Sequence, residues 1–299
     1  MTLNLVIIGE TGQLARALTR ASQSEGFKVK TLNRAVLDLT WDEARISKVI
    51  ASLPRSIDAL ILAAAYTAVD AAETDERTAF AVNGAAPGFI AKACALRGLP
   101  LVHISTDYVF NGTASEPYKP DDVTNPINAY GRSKRAGEIA VEKAQARSVI
   151  IRTSWLFDGQ GANFLTSMLR LAHSRSELSI VDDQMGRPTY AGHLADAVLR
   201  AVEALCSDAD FKRQIFHVTG SGDPVSWAGF AKAIFQETSS EFAQPIKVRG
   251  IASADYPTDA ERPKYSVLDL NAFETKLGYS LPNWREGLRA ALSERPHKA

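Results

Sequence analysis

The chain has 299 residues, 45% hydrophobic and 23% charged, an ordinary globular composition that argues against disorder, a coiled coil or a membrane protein. Lysine plus arginine equals aspartate plus glutamate at 34 each, so no net field attracts a polyanion and nucleic acid is not expected as the main partner. Cys94 and Cys206 stand alone, without a cysteine or histidine at ligand spacing, which argues against a disulfide framework and a structural zinc.

The N-terminus enters an apolar run at 3–8 without a basic stretch or a small-residue cleavage site, and no apolar run approaches ~18 residues. Cytoplasmic residence without a membrane partner is therefore expected. The first half repeats a short aliphatic run followed by a longer amphipathic stretch, which predicts βαβ units and an α/β fold of the Rossmann type, a doubly wound parallel sheet. Strands are predicted at 3–8, 28–32, 59–62, 99–105 and 148–153, with helices near 12–25, 42–53, 72–97 and 127–145. Right-handed crossovers place the loops after each strand along one carboxyl edge, where open α/β sheets bind ligands.

After the first strand, Gly9-Glu10-Thr11-Gly12-Gln13-Leu14-Ala15 sets two glycines between strand and helix. Such a turn brings backbone N–H groups to a pyrophosphate at the helix N-terminus, or is simply a tight turn. The second strand ends on Asn33-Arg34, where a dinucleotide fold usually carries an acid. A guanidinium there pairs with a 2′-phosphate and favours NADP over NAD, unless it is a solvated loop residue. Asp38, in Leu37-Asp38-Leu39, fits either an adenine contact or a helix cap. After the third strand, Ala63-Ala64-Ala65 leaves room for a cofactor against the backbone, or starts a helix.

The fourth strand runs into Ser105-Thr106-Asp107-Tyr108-Val109-Phe110, and Tyr130-Gly131-Arg132-Ser133-Lys134 follows at a helix start. Tyr130 and Lys134 share one helical face. A ketone accepting hydride develops negative charge on oxygen and needs a proton donor and a hydrogen-bond donor in place. Tyrosine has a reference pKa near ~10, and a neighbouring ammonium is expected to bring the phenol closer to working pH. His103 reads as a satisfied strand histidine rather than a catalyst.

Past residue 153 the rhythm loosens, with Asp158-Gly159-Gln160-Gly161, a turn-like stretch at 182–188 and scattered prolines. These suggest a smaller, discontinuous C-terminal lobe that binds substrate, made of 156–188 and 221–299. Residues 1–155 are expected to form the NAD(P)-binding domain, and 189–220, with a helix at 189–206 and a strand at 214–218, to return to it.

Several motifs in order then resemble the dTDP-4-dehydrorhamnose reductases, extended short-chain dehydrogenases/reductases. They are Gly9-Glu10-Thr11-Gly12-Gln13, the run from Ala63 to Asp70, Ser105 to Phe110, Tyr130 to Lys134, Arg152-Thr153-Ser154-Trp155, Asp183 to Thr189, Tyr256-Pro257 and Arg262-Pro263. The resemblance implies NADPH-dependent reduction of the C4 keto group of dTDP-4-dehydro-L-rhamnose to dTDP-L-rhamnose, a cell-surface polysaccharide precursor, with NADH as an alternative reductant. It makes Thr106, Tyr130 and Lys134 the catalytic triad. It assigns the cofactor to Gly9, Thr11, Gly12, Gln13, Leu14, Asn33, Arg34, Asp38, Leu39, Ala63, Ala64, Ala65, Tyr130 and Lys134, and has Asn83 brace the strand ends. Val69, Asp107, Tyr108, Trp155, Arg187 and Arg262 are implied to face the nucleotide sugar. Family dimers include metal-bridged ones, but Ala15-Arg16-Ala17-Leu18 in the first helix is not acidic, so no required metal is expected, while a homodimer remains compatible. The competing readings are another nucleotide-sugar reductase or epimerase, or a regulatory subunit like that of methionine adenosyltransferase. A 4,6-dehydratase is disfavoured, because Tyr108 stands where a glutamate follows Asp107 in those enzymes.

Overall fold

Strand β1 (Asn4–Ile8) is buried from Leu5 onward, because parallel partners flank it on both sides and helices cover both faces. It pairs with β2 (Lys28–Leu32) and with β3 (Ala59–Leu62). Next follow β4 (Leu101–Thr106), β5 (Ser148–Thr153) and β6 (Gln214–His217), giving a six-stranded parallel sheet in the order β6-β5-β4-β3-β1-β2. The computed structural model describes residues 2–144, 146–211 and 213–295.

Continuous apolar strands are what a sheet covered on both faces requires. Alternation sends Leu5, Ile7, Ala59 and Ile61 to one face, under helices Gln13–Ser24 and Ala191–Ser207. Val6, Ile8, Leu60 and Leu62 go to the other, under Glu43–Ser52, Ala86–Arg97 and Ala129–Lys143. The result is the Rossmann-type fold that the periodicity predicts. Strand order reverses between β1 and β3, the switch point at whose carboxyl ends such sheets bind ligands.

The helix predicted over 72–97 is in fact broken. Ala71–Thr74 and Glu76–Phe80 are separate turns, and Ala81–Ala85 is a π-turn before Ala86–Arg97. Pro87 is the cause: without an N–H it cannot bond the carbonyl of Asn83, and the ladder slips by one residue. Glu76–Arg97 is long and apolar enough to cross a membrane by composition, yet Ala86, Ile90, Ala91 and Cys94 lie in the core beside the sheet. Residue 145, the last of the helix predicted over 127–145, lies outside the described residues.

Beyond β5 a separate apolar cluster gathers Phe157, Leu165, Phe230, Ile234, Trp284 and Leu288. Its frame includes a parallel pair, Glu177–Val181 with Lys247–Ile251, that the sequence reading did not anticipate. The turn-like stretch at 182–188 contains the short strand Met185–Gly186, antiparallel to Val225–Ser226. Phe273 and Leu281, inside the expected lobe span 221–299, pack instead in the core of the sheet, and 296–299 lie outside the described residues.

One buried ion pair ties these layers together. Arg152 on β5, 1% exposed, donates from Nε and Nη2 to the two carboxylate oxygens of Glu138, at 2.9 Å each. Its Nη1 reaches the carbonyl of Pro120 at 3.0 Å and Nε2 of His217 at 3.3 Å, and its guanidinium lies 5.2 Å from the Phe110 ring centre. Burial, then the adjacent Arg152, hold His217 down to about 3, so it stays neutral; Nε2 accepts from Arg152 and Nδ1–H donates to the Tyr118 carbonyl at 2.9 Å. Arg152→Met leaves the Glu138 carboxylate buried with only the exposed-side Arg135, and is expected to cost about 3–5 kcal/mol in urea unfolding. The double variant Arg152→Met/Glu138→Leu should lose less than Arg152→Met alone; an additive loss would show that the pair is not coupled.

Candidate active site

Thr106 ends β4 and is 6% exposed, so its hydroxyl sits at the carboxyl edge rather than in solvent. Asn128 caps the helix Ala129–Lys143, its side chain accepting from the Gly131 amide at 2.8 Å. This start places Tyr130 and Lys134 one turn apart, both turned toward β4. The helix presses close on either side. A Cβ on Gly131 would stand 2.2 Å from the Tyr108 carbonyl, and one on Gly137 would stand 2.0 Å from the Asn83 carbonyl. Asn83, carried by the π-turn, accepts from the Tyr66 amide at 2.8 Å and donates to the Tyr66 carbonyl at 2.9 Å and to Ser133 Oγ at 3.0 Å. It thereby pins the loop after β3 to this helix, as the brace role implies.

Burial governs the ionisation of the group. It raises the Tyr130 phenol to about 12, with the Thr106 hydroxyl lowering it and Asp107 raising it. The Lys134 ammonium does not bring the phenol toward neutrality as the four-residue spacing suggests. Its Nζ donates instead to the Ile104 carbonyl at 2.6 Å, and burial lowers it to about 8 against the pull of Glu138. Thr106 Oγ1 donates to Asp107 Oδ1 at 2.9 Å and accepts from the Tyr108 amide at 3.2 Å. Its single proton thus goes to Asp107, and toward Tyr130 it acts as acceptor. Burial outweighs the hydroxyls of Ser266 and Thr106 and raises Asp107 to about 6. Tyr108 meets Tyr130 edge to face, ring centres 5.8 Å apart.

The first turn fits a pyrophosphate. Gly12 caps the helix Gln13–Ser24 with no side-chain hydrogen bond, and a Cβ there would meet nothing within 4 Å, so open space lies before free amides. Gly9 adopts φ +120°, and a Cβ on it would stand 3.3 Å from the Ala64 amide, so this turn and Ala63-Ala64-Ala65 meet backbone to backbone. Thr11 accepts on its carbonyl from Arg16, and Leu14 is buried beneath. At the end of β2, Asn33 Oδ1 accepts from the Ala35 and Val36 amides, while its Nδ2 donates to Glu10 at 3.1 Å. The Arg34 side chain is 80% exposed and bonds Asp38 through Nε at 3.0 Å, leaving its outer guanidinium edge toward solvent. Burial pushes Asp38 up, but the Thr40 amide and hydroxyl, both at 2.8 Å, and the Arg34 guanidinium together hold it below its ordinary value. Leu39 is core.

The implied substrate residues separate. Arg262 forms a two-pronged ion pair with Asp70, at 2.9 and 2.7 Å, and Asp70 also accepts from the Ala260 amide at 3.1 Å. Both charges bear on Tyr108, and both line a cleft of about 1230 Å³ that runs along the lobe past Trp227, Arg249 and Tyr256. Val69 is half-buried beside Asp70. Trp155 takes φ +47° and stacks on Trp227 with ring centres 3.5 Å apart, one face already covered. Arg187 is not brought to this cleft: it donates to the carbonyls of Gly222 at 2.8 Å and Leu268 at 3.0 Å and braces two loops.

Sequence reasoning missed Asp70 and Trp227 as parts of this surface, and the buried Ser266 as a partner of Asp107. Asp70 and Arg262 are 192 residues apart, so no local signal joins them. Trp227 opens a helix capped by Ser226, and that Ser-Trp start was the one readable sign.

The family model described as "RmlD substrate binding domain" matches residues 3–296. The chain is 41% identical over 288 residues to a dTDP-4-dehydrorhamnose reductase of Sinorhizobium fredii, covering 96% of each chain. It is 40% identical over 290 residues to the reductase of that name from Burkholderia thailandensis, covering 95% of this chain and 96% of that one. Among solved structures, a dTDP-4-dehydrorhamnose reductase of Bacillus anthracis in complex with NADP superposes with a TM-score of 0.89 at 33% identity, over 98% of this chain and 100% of that one.

Asp107 offers a test of this electrostatic picture. Its folded pKa lies above its unfolded value, so it favours the fold below about pH 4 and its ionisation costs stability above about pH 6. Asp107→Asn should therefore raise Tm at pH 8, by an amount worth on the order of 2 kcal/mol, and the gain should vanish toward pH 4. A gain independent of pH would reject the assignment.

Proposed function

The chain belongs to the dTDP-4-dehydrorhamnose reductase family of NADP-dependent oxidoreductases, and we propose that Thr106, Tyr130 and Lys134 carry its reduction of a dTDP-4-dehydro-sugar at C4. The observation that carries this reading is the meeting of Thr106 and Tyr130 at the carboxyl edge, beside an uncapped helix N-terminus. Gly9, Thr11, Gly12, Gln13 and Leu14 would hold the pyrophosphate of NADPH. Asn33, Arg34, Asp38 and Leu39 would hold its adenosine end, and Ala63, Ala64 and Ala65 would lie under it. Bound NADPH supplies the hydride.

The protein's own part is to meet the charge that forms on the C4 oxygen. Tyr130, kept protonated by burial at about 12, holds its proton at neutral pH until an oxyanion is there to take it. Thr106 gives the second hydrogen bond, which requires its hydroxyl to turn from Asp107 to the carbonyl. Lys134 holds the nicotinamide ribose and offsets the phenolate once the proton has left. Val69, Tyr108, Trp155 and Arg262 border the sugar and diphosphate, with Asp70 orienting Arg262. Arg187 supports the loops behind them.

Two measurements test the assignment. Tyr130→Phe keeps the ring and removes the acid; kcat should fall about 10²–10⁴-fold while NADPH binding and folding persist. Full activity in the folded variant would overturn the mechanism. Arg34→Asp places a carboxylate where the 2′-phosphate is read, so the KM for NADPH should rise about 10-fold or more while that for NADH changes little. Equal effects on both cofactors would remove Arg34 from the site.

A further inference from the structure

An ammonium has three donors, and Lys134 uses one of them on the Ile104 carbonyl. The residues on either side of Ile104 are His103 and Ser105, and strand alternation turns both to the face covered by the helix of Lys134, the face that also holds Leu101 and Val141. His103 is 1% exposed and Ser105 3% exposed. Neither imidazole nitrogen, nor the Ser105 hydroxyl, has a hydrogen-bond partner among the described residues. His103 is thus not the satisfied strand histidine that the sequence suggested. Burying an imidazole with both nitrogens unpaired is costly, and such a group in a native core usually serves a neighbour.

We propose that His103, seconded by Ser105, is a positioning residue for Lys134: the neutral imidazole accepts a hydrogen bond from the ammonium through one bound water, and keeps it charged and fixed at the Ile104 carbonyl. The inference rests on the reading of Lys134 as a functional residue. Other groups do not fill this role. Lys134 faces Tyr130 and Glu138 on its own helix and His103 on β4, while Asp107 lies past the end of that strand. Glu138 is already clamped by Arg152 at 2.9 Å and Arg135 at 3.1 Å, and Asp107 takes the Thr106 hydroxyl. Burial, reinforced by the Lys134 charge, holds His103 well below its ordinary range, so it acts as an acceptor and does not compete for the proton.

The test follows kcat/KM and, separately, NADPH affinity by fluorescence, both against pH, in wild type, His103→Leu and His103→Gln. Losing the acceptor should let Lys134 deprotonate earlier, moving the alkaline limb of both profiles down by about 1–2 pH units in His103→Leu. His103→Gln keeps an acceptor and should bring the limb back to within about half a unit of wild type. A limb unmoved in His103→Leu, or moved equally by Leu and Gln, overturns the proposal. If His103→Leu does not fold, Ser105→Ala decides: a smaller downward shift supports the proposal and an unshifted limb defeats it. Wild-type protein without reductase activity would instead sink the functional reading, while the NADPH-affinity profiles would still report on His103.

Discussion

Glu138 lies fully buried in the middle of a helix, and only the Arg152 guanidinium rising from β5, with help from Arg135, makes that burial tolerable. Each carboxylate oxygen has its own N–H donor, and the remaining Arg152 donor goes to the Pro120 carbonyl and His217, so no charge is left unmet. The pair fixes the height of the helix over the sheet at a point one turn from Lys134. It also joins β5, β6 and the 118–120 segment, which is why the edge of the sheet and the start of the lobe hold one arrangement. Because Glu138 is committed to arginines, it does little to neutralise Lys134, and burial leaves that ammonium near about 8. A structural bond therefore sets the conditions under which the neighbouring chemistry operates.

The same economy of charge runs through the site. Tyr130 is a poor acid at rest because it is buried, and that poverty keeps its proton available. Asp107 is lifted by the same cause to about 6, within reach of ordinary solution pH. The rings of Tyr108 and Tyr130 meet edge to face beside it, and the Asp70–Arg262 pair bears on Tyr108.

Much of this was legible from sequence because it is local. The sheet strands are continuous aliphatic runs, and all five predicted in the first half stand within two residues of their place, since parallel burial leaves one reading of such runs. The glycine turn and the Tyr130–Lys134 spacing were likewise readable, each being a rule about a few adjacent residues. What failed was non-local or exceptional. Pro87 broke a helix that periodicity had drawn as one. The Glu177–Val181 and Lys247–Ile251 pair joins two five-residue strands far apart in the chain, a pairing that no local pattern announces. The resemblance implied that Arg187 faces the nucleotide sugar, but its guanidinium donates to two loop carbonyls instead. Lys134 looked like a partner for the phenol because spacing gives the face of a helix and not where a long side chain ends.

The two glycines of the Tyr130–Lys134 helix bear on how that element can exist at all. Glycine in a helix interior weakens it by roughly 0.5–1 kcal/mol relative to alanine, so Gly131 and Gly137 exchange autonomy for intimacy with the Tyr108 and Asn83 carbonyls. The helix is therefore a dependent element, held in shape by the walls it touches. Without that docking, a chain would carry the right residues with no site.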